Sequence, residues 1–88
     1  MASIFQKKVI NEYKSKGYIV IKVIKFSANG YPDLLCIKLN EPDIWIECKE
    51  FNDTLKPLQK RRIDELNKLG KKAFCLQDKR GVIYPIIK

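Results

Sequence analysis

Apolar residues recur along this chain with two different periods. Over residues 4–16, Phe5, Val9 and Tyr13 return every four positions with lysines between them, which predicts an amphipathic helix. Gly17 is placed to cap it, and Lys14 and Lys16 sit in the last turn, where the helix dipole favours cations. Residues 18–26 are rich in β-branched and aromatic side chains and predict a strand, interrupted by Lys22 and Lys25. Residues 27–30 read as a turn. Residues 33–39 are nearly continuous apolar, as expected of a strand covered on both faces. Asn40-Glu41-Pro42-Asp43 is turn chemistry, and residues 44–49 follow as the next strand, so the two form an antiparallel hairpin.

Beyond a loop at residues 51–56, Pro57 suits the first turn of a second helix. Leu58, Arg62, Leu66 and Leu69 follow at helical spacing, with Ile63 beside them and Gly70 as the stop. Residues 73–77 and 82–87 predict two further strands, separated by a turn. The order α-β-β-β-α-β-β places a helix between the third and fourth strands. A right-handed crossover through that helix makes those strands parallel neighbours. The expected fold is α/β: a mixed central sheet flanked by helices, one on each face.

Length and composition narrow the class. A chain of 88 residues is one domain, residues 1–88, and its 45% hydrophobic content is that of a globular protein. Eighteen Lys and Arg against ten Asp and Glu give a net charge of +8, which favours polyanionic partners such as nucleic acid. With no histidine, His-based triads and general bases are excluded, and most zinc sites with them. Cys36, Cys48 and Cys75 are dispersed in apolar runs and odd in number, so they read as reduced core residues of a cytoplasmic protein. No signal peptide is visible, and no apolar run reaches the ~18 residues that would cross a bilayer, so no membrane role is expected.

Within this framework a few polar residues stand out. Alternation along residues 44–49 puts Glu47 and Lys49 on one face with Trp45, and Ile44, Ile46 and Cys48 on the other. Asp33 follows Pro32, which has no amide for a ladder and belongs where a strand begins. In an antiparallel hairpin the start of one strand lies opposite the end of the other, so Asp33 can meet Glu47 and Lys49. Two carboxylates brought together need a cation. Mg²⁺ takes one or two carboxylates, keeps waters and binds phosphate oxygens, and the Cys48 carbonyl is a further candidate ligand. Lys49 could position a water or neutralise charge on a phosphoryl transition state. Taken singly, these residues have blander readings: Asp33 as a turn residue, and Glu47 and Lys49 as a solvated polar face.

The motifs Gly30-Tyr31-Pro32-Asp33 and Glu47-Cys48-Lys49 match the signature of the PD-(D/E)XK nucleases. With Gly17-Tyr18, Lys22, Trp45-Ile46, Pro57-Leu58-Gln59 and the stretch from Leu66 to Gly70, the chain resembles the VRR-NUC family, as found in small standalone phage and bacterial proteins. The resemblance spans nearly the whole sequence. It implies a restriction-endonuclease-like αβββαβ core and a metal-dependent DNA endonuclease of phage or bacterial-host cytoplasm. Mg²⁺ would be the cofactor, with Mn²⁺ as the alternative. Asp33 and Glu47 would be metal ligands, Lys49 the catalytic lysine, and Gln59 a supporting or DNA-contacting residue; otherwise Gln59 is an exposed helix residue. It further implies selectivity for branched or duplex DNA, an architecture like that of Holliday-junction resolvases, and action as a homodimer.

The chain departs from the family pattern at one place. Ala2 stands where a first-helix glutamate is expected, four residues before the matching Gln6, which could lend an oxygen in its stead. Glu12 lies two turns later and reads as a solvated helix residue. Lys56, Lys60, Arg61 and Arg62 cluster at the start of the second helix and are the expected contacts to the DNA backbone, which position DNA without reading its sequence. The missing acid together with the basic charge supports a rival reading, a catalytically silent DNA-binding module. A third reading is a small interaction subunit whose acids cap turns.

Overall fold

The computed structural model describes residues 3–24 and 29–86. Helix α1 spans Ile4–Ser15, and helix α2 spans Pro57–Lys68. The strands are β1 (Ile19–Lys22), β2 (Leu34–Ile37), β3 (Ile44–Lys49), β4 (Lys72–Gln77) and β5 (Gly81–Tyr84). They form one sheet in the order β1-β2-β3-β4-β5. Only the β3–β4 pair is parallel, and α2 is the crossover between its strands. This is the mixed α/β sandwich expected from the order of elements.

Each face of the sheet has its own core. Val9 of α1 packs with Leu34, Cys36, Ile44 and Ile46, joined by Phe5, Tyr13, Cys48 and Phe74. Ile63 and Leu66 of α2 pack with Ala73 and Cys75 on the other side, with Tyr31, Trp45 and Leu55 around them. The alternation of β3 is therefore divided between two helices: Ile44, Ile46 and Cys48 lie under α1, and Trp45 lies under α2 with Glu47 and Lys49. α1 starts at Ser3, whose Oγ accepts from the Gln6 backbone N–H at 2.9 Å, satisfying one of the free amides of the first turn.

Several boundaries differ from the sequence expectation. β1 ends at Lys22, the last residue paired in register with β2, opposite Leu34; beyond it the Val23 N–H still donates to the Asp33 carbonyl at 2.7 Å. Val23 and Ile24 continue without strand structure, and Lys25 and Phe26 lie outside the described residues. β2 stops at Ile37, two residues early, and β5 at Tyr84, with Ile87 outside the described residues. Leu69, read as part of the apolar stripe of α2, is the C-cap and is exposed. α2 covers β3 and β4, which leaves Ile19, Ile21 and Ile37 exposed toward the β1 edge. Among the described residues, no helix is long and apolar enough to cross a membrane.

Candidate active site

The segment from Gly30 to Asp33 is shaped by what surrounds it. Gly30 has φ +87°, and a Cβ there would fall 2.7 Å from Leu58 Cγ of α2, so only glycine passes beneath the helix start. Tyr31 turns onto Trp45, with ring centroids 6.3 Å apart, and the Arg62 guanidinium lies over the Tyr31 ring at 4.9 Å. Pro32 is fully buried. The chain then enters β2 with Asp33 just ahead of the first paired residue.

Register brings the acids together. Leu34 pairs with Ile46 and Leu35 with Trp45, so one further step sets Asp33 across from Glu47. Asp33 Oδ2 accepts the Cys48 backbone N–H at 3.1 Å. The N–H and C=O of one strand residue emerge on the same side, so the Cys48 carbonyl is directed to the Asp33 side as well. The Lys49 carbonyl goes the other way and accepts from the Asp78 N–H at 2.9 Å.

Glu47 and Lys49 are buried, at 3% and 6% exposure, which removes the solvated-face reading of this pair. Lys49 Nζ lies 3.6 Å from Glu47 Oε2. Gln59 is half-buried and works in two directions. Its Oε1 accepts the Lys56 N–H at 2.9 Å, the helix-capping half of its role. That bond turns its amide NH₂ toward the sheet, where Nε2 donates to Glu47 Oε2 at 3.4 Å. The reading of Gln59 as a merely exposed helix residue is thereby corrected.

Glu47 Oε1 is buried and has no hydrogen-bond partner among the described residues. Burial, then the neighbouring Asp33 charge, push the Glu47 carboxyl up to about 8, and Lys49 offsets only part of this. An orphaned, desolvated carboxylate oxygen next to a second carboxylate is the donor arrangement a hard cation satisfies. Asp33, Glu47 and the Cys48 carbonyl therefore fit an oxygen-ligated divalent ion, with waters or phosphate oxygens completing its shell. No group of three or more His, Cys, Asp or Glu side chains suited to a metal converges among the described residues. The thiols take no part: burial raises Cys36 to about 11 and Cys75 to about 12, and Cys48 higher still, so all three stay protonated.

The remaining expected residues fall into place unevenly. Lys56, Lys60 and Arg61 are exposed at the start of α2. Arg62 differs from them: its Nε donates to the Asn29 carbonyl at 2.9 Å and its Nη1 to Glu65 Oε2 at 3.2 Å, so it holds the Gly30 loop. No hydrogen bond among the described residues joins the Gln6 side chain to Asp33, Glu47 or Lys49, and Ala2 lies outside the described residues. Glu12 pairs with Lys16 at 3.2 Å on the exposed face of α1. Two residues of the site escaped the sequence reading. Asp53 Oδ2 lies 3.7 Å from Lys49 Nζ, and the buried Gln77 binds the loop that carries Asp53. The parallel register that sets Gln77 beside Lys49 is the signal that links them.

No protein-family model and no curated protein matches the sequence. Solved structures do. A structure described as a VRR_NUC domain superposes with a TM-score of 0.70 at 28% identity, covering 81% of this chain and 77% of that one. The Hjc Holliday junction resolvase of Archaeoglobus fulgidus superposes with a TM-score of 0.63 at 17% identity, covering 88% of this chain and 64% of that one, a likeness of fold. The motifs read in the sequence and the architecture that carries them agree: the chain is similar to a VRR_NUC domain in sequence and in fold, and it shares the fold of the Hjc resolvase.

Proposed function

We propose that this chain is a Mg²⁺-dependent DNA endonuclease that hydrolyses phosphodiester bonds and selects DNA by structure, with four-way junctions among its substrates. The observation that carries the reading is the paired Asp33 and Glu47 at one sheet rim, with Glu47 Oε1 buried and unbonded beside Lys49. Asp33, Glu47 and the Cys48 carbonyl would hold the ion. When bound, Mg²⁺ or Mn²⁺ polarises a phosphoryl oxygen and acidifies a water. Lys49 supplies a fixed positive charge where negative charge develops on the phosphate. Gln59 holds the Glu47 carboxylate in orientation. Lys56, Lys60 and Arg61 neutralise backbone phosphates beside the site. The similarity to a VRR_NUC domain and to a Holliday junction resolvase fold supports the same class of activity.

In this reading residues 1–88 are one nuclease domain working in the cytoplasm. The domain acts as a homodimer, since a two-fold axis would present two sites to the symmetric arms of a junction. The exposed Ile19, Ile21 and Ile37 supply apolar surface for such an interface.

The test is incubation with labelled linear, flap and four-way DNAs, with Mg²⁺ and with chelator. Cleavage that needs the ion and is lost in Asp33→Ala, Glu47→Ala and Lys49→Ala, each still folded by circular dichroism, is the expected result. Wild-type rates in all three variants would overturn the site assignment. The rival reading, a silent DNA-binding module, is favoured by Ala2 at the expected glutamate position and by the lack of a three-acid cluster among the described residues. It predicts DNA binding indifferent to Mg²⁺ and no cleavage of any substrate.

A further inference from the structure

Asp53 is an exposed loop residue that is held more firmly than its exposure suggests. Its backbone N–H donates to the Glu50 carbonyl at 3.0 Å. Its own carbonyl accepts from Gln77 Nε2 at 2.6 Å. The same amide also reaches the carbonyls of Glu50 at 3.0 Å and Phe51 at 3.2 Å, so a single buried side chain gathers the whole turn. Of the Asp53 carboxylate, Oδ1 accepts the Thr54 N–H at 2.8 Å. That leaves Oδ2 directed at Lys49, 3.7 Å from Nζ. The side chain of Asp53 is 53% exposed, whereas that of Lys49 is 7% exposed.

This arrangement answers a problem the site creates. Lys49 is a flexible four-carbon stem ending in three rotatable donors, and such a group does not choose one position unaided. Its nearest acid, Glu47, is the carboxylate a metal ion would claim. A lysine held only by that acid would be released, or drawn after it, once the ion bound. A second carboxylate, fixed from outside the ligand set, keeps the ammonium in place whether or not the ion is present. Gln77 enforces this from β4, because the parallel register pairs Gln77 with Lys49. Arg80 Nη1 in turn donates to Gln77 Oε1 at 3.4 Å, which orients the amide so that its NH₂ faces the turn.

We infer that Asp53 is a positioning residue for Lys49, locked in place by the buried amide of Gln77. The inference rests on the nuclease reading for its catalytic consequence, but the ion pair itself can be read without activity.

The test uses Asp53→Asn, which keeps the Oδ1 acceptor for Thr54 and replaces the charged acceptor facing Lys49 by an amide NH₂, with Asp53→Glu as the conservative variant. Two measurements are made on each. The first is the hydrogen-exchange rate of the Lys49 ammonium by ¹⁵N-edited NMR with Mg²⁺ present, which should be slow in the wild type, faster in Asp53→Asn and slowed again in Asp53→Glu. The second is Mg²⁺-dependent cleavage, in which Asp53→Asn should lower kcat roughly 10- to 100-fold, the cost of a misplaced group, with KM for DNA unchanged. Gln77→Leu should reproduce both effects with Asp53 intact. An unchanged Lys49 exchange rate in Asp53→Asn overturns the inference, as does a loss confined to KM or one that Asp53→Glu fails to restore. A wild type that cuts no DNA while its Lys49 exchange still responds to Asp53→Asn overturns the nuclease reading and leaves the placement of Lys49 standing.

Discussion

Asp33 reaches across the end of the β2–β3 hairpin to take the backbone N–H of Cys48 at 3.1 Å. Because the two are joined, the first acid of the site is tied to the main chain that carries the second acid and the lysine. The separation of Asp33 and Glu47 is therefore set by strand register and resists loop motion. The bond fixes the proposed ligands relative to one another before any ion binds.

Glu47 makes the stability of the metal-free protein depend on pH. Its carboxyl is raised from 4.5 to about 8, chiefly by burial and then by Asp33. The folded state thus keeps a proton that the unfolded state gives up near 4.5. This contribution is fully present below the unfolded value and is lost as pH rises toward about 8. Urea denaturation across this range, without metal, should show stability falling as pH rises. Glu47→Gln should flatten the slope, and added Mg²⁺ should restore stability at the alkaline end, where the carboxylate is free to bind it. An identical slope in Glu47→Gln would remove Glu47 as the cause.

Gln59 serves the helix and the site together. Replacement by Ala removes the bond to the Lys56 N–H and should cost about 1 kcal/mol of stability, as loss of a cap does. It also frees Glu47 Oε2 from its amide donor. Cleavage should drop by about 10-fold, the lower end of what loss of a ligand-orienting partner costs. Thermal melts and single-turnover rates separate the two effects. A variant that loses stability but retains the full rate would confine Gln59 to the cap.

Gly30 sits where shape and conformation both demand it. Gly30→Ala places a Cβ 2.7 Å from Leu58 Cγ at φ +87°. Strain of this sort costs roughly 1–3 kcal/mol. Because the same segment delivers Asp33, cleavage should fall along with the melting temperature. Leu58→Ala in the Gly30→Ala background should relieve the clash but not the backbone strain, giving partial rescue of the melting temperature.

The basic residues of α2 divide by what they already hold. Lys56, Lys60 and Arg61 are exposed, whereas Arg62 is spent on Asn29, Glu65 and the Tyr31 ring. Changing each of the first three to Ala should weaken duplex binding evenly across sequences. The slope of log affinity against log salt should fall by about 0.9 for each phosphate no longer neutralised. Arg62→Ala should instead act on stability and leave the salt slope unchanged. Binding titrations at several salt concentrations check both statements.

The parts of this protein that are legible in its sequence are those governed by local pattern. β3 has the predicted limits because strict alternation begins after turn chemistry at residues 40–43 and ends with Lys49. The meeting of Asp33 with Glu47 follows from hairpin geometry alone. What the pattern leaves open is which polar face is covered. Alternation cannot distinguish a solvated Glu47 and Lys49 from a pair buried beneath α2, and here they are buried. β1 runs shorter than its β-branched stretch, since a strand persists only where a partner pairs with it. Asp53 and Gln77 stay hidden for a different reason: their roles depend on the register of a parallel pair formed across a helical crossover. Arg62 reads as one of a basic cluster until the loop at Asn29 folds against it.

Diffraction from crystals grown with Mn²⁺, recorded for its anomalous signal, bears most directly on whether these acids hold a metal. A single strong peak is expected within bonding distance of Asp33, Glu47 and the Cys48 carbonyl, in a crystal form whose dissolved protein cuts DNA. An active protein whose Mn²⁺ lies elsewhere, with Glu47 Oε1 still unbonded, would contradict it.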